Sequence, residues 1–255
     1  MTAKIVRAKK HLGQHFLNDE GIAQQIVAAL QCNVKFTNVL EIGAGMGVLT
    51  KYILKLDAKF YLVEIDHESV AYLESNYPQL SNKIISKDFL KLNLTQIISA
   101  PVAIIGNFPY NISTEILFKV LENKDLVPLV VGMFQKEVAM RVTSAPGNKA
   151  YGIVSVLIQA YYNVEYLFTV DAQVFTPPPK VQSGVIRLTR NDVIALPCNE
   201  MLFSKVVKTA FNQRRKTLRN ALKSFNKTGL PFMDKRAEQL SCSDFVLLTQ
   251  AIDTP

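Results

Sequence analysis

Short apolar runs alternate with amphipathic stretches along the first three quarters of the chain. Residues 38–42, 60–65, 84–86, 102–105 and 129–134 are blocks of mainly Val, Ile, Leu and Phe. They are too short for buried helices and are bounded by turn-forming residues, so they predict strands. Between them, residues 49–56, 68–76 and 115–122 place their apolar positions three and four apart, the spacing of a helix with one buried face. Asp19 stands as the cap of an earlier helix whose buried face is Ile22, Ile26, Val27 and Leu30. Strand and helix in strict turn predict a parallel sheet covered on both faces. A further helix is expected around 153–160, then strands at 162–170 and 184–188. These two are joined through Pro177-Pro178-Pro179, which cannot continue a central ladder and so form a rigid loop.

The strand pattern stops near Pro197. Beyond it, Phe203, Val207 and Phe211, then Leu218, Leu222 and Phe225, keep one apolar face and predict helices. The expected division is residues 1–195, an α/β domain with a basic N-terminal arm, and residues 196–255, a small all-α domain.

Composition narrows the class. With 255 residues, 49% of them hydrophobic, the chain can bury a sizeable core. A net charge of +8 favours an anionic partner, nucleic acid or an anionic surface. Eight Lys or Arg and no acid fall between Phe203 and Lys227, more than solubility requires. Lys4, Arg7, Lys9 and Lys10 add to this in the arm. No apolar run is long enough to span a bilayer, and the first residues lack a secretory pattern, which points to the cytoplasm. Cys32, Cys198 and Cys242 are odd in number and far apart, so neither a disulfide framework nor a metal site is expected.

The chemistry gathers where strands end. Asn107-Phe108-Pro109-Tyr110 follows the apolar run at 102–105. The amide oxygen of Asn107 and the carbonyl of Phe108 are acceptors, and Tyr110 is a flat ring beside them. Such a set suits an exocyclic amine held from two sides, which reads as an adenine pocket. An ordinary strand-to-helix loop accounts for the four residues equally well. Glu41-Ile42-Gly43-Ala44-Gly45-Met46-Gly47 closes the first sheet strand with a glycine turn of the kind that lets a ligand approach the backbone. Val48 stands where the dinucleotide fingerprint wants its last glycine, which argues against NAD. Glu64 closes the next strand, where a carboxylate holds a ribose diol, and Asp88 closes the third. Each acid alone is better explained as a helix cap or solvated loop. In strand order they describe a nucleoside site.

Taken together, six stretches resemble a known family. They are residues 12–17 (Leu-Gly-Gln-His-Phe-Leu), the glycine turn, 106–113, 135–138 (Gln-Lys-Glu-Val), 175–181 (Phe-Thr-Pro-Pro-Pro-Lys-Val) and 211–219. The chain resembles the ribosomal RNA adenine N6,N6-dimethyltransferases, specifically the small-subunit family linked to kasugamycin sensitivity. The resemblance implies a Rossmann-like, S-adenosylmethionine-dependent methyltransferase sheet of seven strands, the last antiparallel, with a small helical C-terminal domain. It implies donor contacts at His15, Leu17, Gly43, Gly45, Glu64, Asp88 and Asn107, and a reaction at Asn107, Phe108 and Tyr110. The substrate would be two adjacent adenosines in the 3′-terminal hairpin of small-subunit (16S) rRNA within an immature 30S-type particle, each receiving two methyls. The protein would act as a monomer. Tyr110 and Phe175 are the rings expected to stack on the extruded base, with core packing the other reading of Phe175. Arg214, Arg215, Lys216 and Arg219 are expected to grip RNA phosphates. Two positions depart from the family: Phe108 stands where Leu is usual, and His15 where the arm often has Asn. The alternatives are a large-subunit rRNA methyltransferase of the macrolide-resistance type, a non-catalytic assembly factor on the same fold, and, more distantly, a DNA adenine methyltransferase.

Overall fold

The computed structural model describes residues 6–254, so Lys4 lies outside the described residues. The chain forms two compact units, one of Met1–Ala139 with Glu165–Arg190, the other of Met140–Val164 with Asn191–Pro255. The single boundary expected at 195/196 is thus replaced by a discontinuous one. Residues 140–164 join the helical unit because Tyr151 packs edge-on to Phe211, which in turn packs on Phe245. The hydrophobic partners of this segment lie far along the chain.

The first unit is built on strands β1 (Phe16–Leu17), β2 (Asn38–Ile42), β3 (Lys59–Val63), β4 (Ile84–Ile85), β5 (Val102–Asn107), β6 (Leu129–Gln135), most of β7 (Tyr162–Val170), β8 (Phe175–Thr176) and β9 (Ser183–Arg190). Seven of them form one sheet in the order β4-β3-β2-β5-β6-β9-β7. Pairings from β4 through β6 are parallel, and β9 runs antiparallel to β6. The chain steps outward from β2 to β4, then returns to the other side of β2 as β5. Strand order reverses there, and a crevice opens beyond the carboxyl ends of β2 and β5, the usual ligand position in such sheets. β2 is buried along its whole length and β5 along all but its last residue, as continuous apolar runs covered on both faces require.

Helices α1 (Glu20–Ala28), α2 (Thr50–Ile53), α3 (His67–Asn76), α4 (Leu94–Ile97), α5 (Ser113–Glu122), α6 (Lys136–Thr143), α7 (Ile153–Gln159), α8 (Glu200–Asn212), α9 (Leu218–Ala221) and α10 (Cys242–Asp253) complete the elements. Asp19 caps α1 as expected, its carboxylate accepting the Ile22 N–H at 2.9 Å. The helix expected over 49–56 contracts to α2, with turns on either side. β1, β8, α4 and α6 were not anticipated. In the second unit Asn199 caps α8 through two N–H groups, and Phe203, Val207 and Phe211 are buried along its predicted face. Among the described residues no helix is long and apolar enough to cross a membrane.

Candidate active site

The glycine turn after β2 forms the floor of a cavity in the first unit. Gly43 and Gly45 have φ of +70° and +55°, a region that strains any residue with a Cβ. A Cβ on Gly45 would also stand 2.8 Å from the Phe16 ring, so the arm packs directly on the turn. Glu64, just past β3, is 4% exposed. Its two oxygens accept the N–H groups of Gly45 at 3.0 Å and Asp66 at 2.9 Å. Burial pushes this carboxyl above the usual range, and the backbone donors oppose that. The Ile65 N–H also acts on this carboxylate, which keeps acceptor capacity to spare for a ligand hydroxyl. Asp88 lies on the cavity wall and accepts the Leu90 N–H at 3.0 Å.

Asn107 ends β5, and its Nδ2 donates to the His15 carbonyl at 2.8 Å. A carbonyl only accepts, so the amide orientation is determined, and Oδ1 is left as an acceptor without a donor among the described residues. The Phe108 carbonyl likewise meets no donor among the described residues. Its ring faces away, 1% exposed, and packs edge-on to Phe134 with centroids 5.0 Å apart. Tyr110 lines the cavity, and its hydroxyl bonds Ser183 at the start of β9. His15, Leu17, Gly43, Gly45, Glu64, Asp88, Asn107, Phe108 and Tyr110 all border this one cavity.

Phe175 does not. It is 2% exposed and pairs with Leu17 between β8 and β1, so its ring belongs to the hydrophobic core rather than to a stacking surface. The ring that stands beside Tyr110 is His15, with centroids 5.3 Å apart and planes tilted by 32°. His15 is held there by a 2.7 Å contact from Nδ1 to the Pro177 carbonyl, in which the ring N–H donates.

Three features were missed by reading the chain. Glu41, 1% exposed, faces the cavity from inside β2; the Thr50 hydroxyl donates to its Oε2 at 2.6 Å. Burial pushes this carboxyl up to about 8. Asp66, 2% exposed, caps α3 and anchors the arm, receiving Lys9 Nζ and Gln14 Nε2. Burial alone would raise its carboxyl, but these donors with Glu68 N–H and Ser69 hold it below the usual range. Lys9, expected to grip phosphate, is therefore committed to Asp66 and Glu68. Finally, β1 pairs with β8, which fixes residues 16 and 17 along the cavity wall.

In the second unit Arg214 is not a free phosphate ligand. Its Nε donates to Glu238 and its guanidinium to the Lys149 carbonyl, both at 2.6 Å. Arg215 and Lys216 are exposed, and Arg219 shares an exposed ion pair with Asp234.

The profile of the family described as ribosomal RNA adenine dimethylase matches residues 5–245. A ribosomal RNA small subunit methyltransferase A of Cytophaga hutchinsonii is 60% identical over 252 residues, covering 97% of this chain and 98% of that protein. Its namesake from Bacteroides thetaiotaomicron is 53% identical over 256 residues, with 98% and 96% covered. Among solved structures, a dimethyladenosine transferase from Plasmodium falciparum superposes with a TM-score of 0.77 at 24% identity, covering 92% of this chain and 96% of that one. With the glycine turn, the strand-end acids and the Asn107 motif all bordering one crevice, the chain belongs to the ribosomal RNA adenine dimethylase family.

Proposed function

We propose that this protein transfers methyl groups to N6 of two adjacent adenosines in the 3′-terminal hairpin of small-subunit ribosomal RNA, giving N6,N6-dimethyladenosine. The observation that carries the reading is the pair of acceptors left open at one strand end, Asn107 Oδ1 and the Phe108 carbonyl. S-adenosylmethionine, when bound, supplies a methyl group activated by a sulfonium charge. The residues present fit it: a backbone cradle at Gly43 and Gly45, Glu64 for the ribose diol, Asp88 for the adenine amine, and His15 and Leu17 along the wall.

The amine to be methylated is a poor nucleophile because its lone pair is delocalised into the purine. Accepting its hydrogens at Asn107 Oδ1 and the Phe108 carbonyl favours a pyramidal, more nucleophilic nitrogen and stabilises the charge that develops on it. Tyr110 offers a ring face to the extruded base. Alignment rather than proton abstraction is the contribution of the chain. Arg215, Lys216 and Arg219 hold RNA phosphates, and the particle recognised is an immature small subunit met by a monomer in the cytoplasm.

The test is to incubate the protein with labelled donor and undermethylated small subunits, then map the label. Two methyls on each of two adjacent adenosines near the RNA 3′ end are expected. Label on large-subunit RNA instead, or none on RNA, defeats the reading.

A further inference from the structure

Gly132 lies in the middle of β6, one strand away from the Asn107 motif, and is not among the residues that line the donor cavity. It pairs in register with Gly106 of β5. Two glycines side by side leave a bare patch on the sheet, and the ring of Phe108 folds back over it. A Cβ built on Gly106 would stand 2.6 Å from Phe108 Cε1 and from the Ile42 carbonyl oxygen. A Cβ on Gly132 would overlap Phe108 Cε2 and stand 2.7 Å from Phe134 Cε2. Neither ring has room to retreat, since Phe108 is 1% exposed and Phe134 fully buried, each against the other's edge. The backbone is tied at the same place: Phe108 N–H donates to the Met133 carbonyl at 3.1 Å, between Gly132 and Phe134.

Phe108 is thus anchored twice, by its N–H and by a ring resting on missing side chains, and its carbonyl is left to point elsewhere. We infer that Gly132 is a positioning residue of the methyl-transfer site: its lack of a side chain lets the Phe108 ring settle on the sheet and so sets the direction of the Phe108 carbonyl and the adjoining Asn107 amide. The inference rests on the reading of those two groups as acceptors for the target amine. It also resolves how a ring fits where the family usually has Leu, because the extra volume of Phe108 is accommodated by the bare glycine pair.

The experiment is a double-variant cycle, read as single-turnover methylation of undermethylated small subunits per donor-binding site, with donor affinity measured by calorimetry. Counting only sites that bind donor keeps loss of folded protein out of the rate. Gly132→Ala should slow transfer by at least about tenfold while the donor Kd stays within about threefold, because the acceptors move and the glycine turn does not. Phe108→Leu, which removes the ring edge and keeps the carbonyl, supplies the reference rate against which the double variant is read. In the double variant the shorter side chain accommodates the new methyl, and the rate should return to within about threefold of Phe108→Leu. A Gly132→Ala rate near that of the native protein, or a double variant no faster than Gly132→Ala, overturns the inference. Should Gly132→Ala alone fail to fold, the double variant against Phe108→Leu decides: rates within about threefold support the inference, and a deficit beyond about tenfold overturns it. The native protein run in parallel tests the underlying reading separately. If it places no label on adenosine that reading fails, while the packing relation is still decided by whether the double variant regains the melting temperature lost in Gly132→Ala.

Discussion

Asn107 is bonded to a group that can only accept, so its free oxygen is assigned by chemistry rather than by choice of amide orientation. Asn107→Ala removes an acceptor from a nitrogen gaining positive charge, an interaction worth about 1–3 kcal/mol. Single-turnover methylation should therefore slow by about 5- to 150-fold. Glu41 carries a different prediction. Its carboxyl is pushed from 4.5 to about 8 by burial, so between those values the native state keeps a proton that the unfolded chain has released. Stability from this group is complete below the lower value and is lost as pH rises through the upper one. Glu41→Gln should flatten the fall in melting temperature between about pH 5 and 8, which thermal melts at several pH values measure. Glu64, Asp88 and Asn107 stood out in the chain because each closes a predicted strand. Glu41 was not singled out because it sits inside one, where nothing local reports whether a carboxyl is buried. Phe175 illustrates the converse: a ring before prolines is written the same way whether it stacks or packs.

The arm is the element on which the donor cavity most depends. It has no hydrophobic period, and β1 and β8 are two residues each, too short for any alternation to announce them. Its position follows from contacts with distant residues: Lys9 and Gln14 on Asp66, the His15 carbonyl on Asn107, and Asn18 Nδ2 on the Thr176 hydroxyl at 2.7 Å. Replacing Lys9 and Gln14 together by Ala should loosen the strap over the donor and raise its Kd about tenfold by calorimetry. Asp66 keeps the Glu68 N–H and the Ser69 hydroxyl but loses the two donors that the arm supplies to its buried carboxylate, so the melting temperature should fall by a few degrees as well. By contrast β2, β5 and β6 were readable almost residue for residue, because strands buried on both faces are written as near-continuous apolar runs.

At the scale of the whole molecule, the two units differ from the simple split at residue 195 because Tyr151 finds its partner in Phe211, a long-range packing choice without local signature. The same scale separates two kinds of basic residue that look alike in sequence. Replacing Arg215 and Lys216 by Ala should lower the slope of log affinity for RNA against log salt by about 1.5, one phosphate contact for each. Arg214→Ala should leave that slope unchanged and lower the melting temperature by a few degrees, since it breaks the bonds to Glu238 and the Lys149 carbonyl. The ribbon of β1 and β8 has a consequence for how the protein comes into being. One wall of the cavity is pinned by residues 175 and 176, so a ribosome making this chain must complete about two thirds of it before the opening residues find their mate. The arm can close over the glycine turn and the acids only after that point, so competence to retain the methyl donor should arrive late in translation.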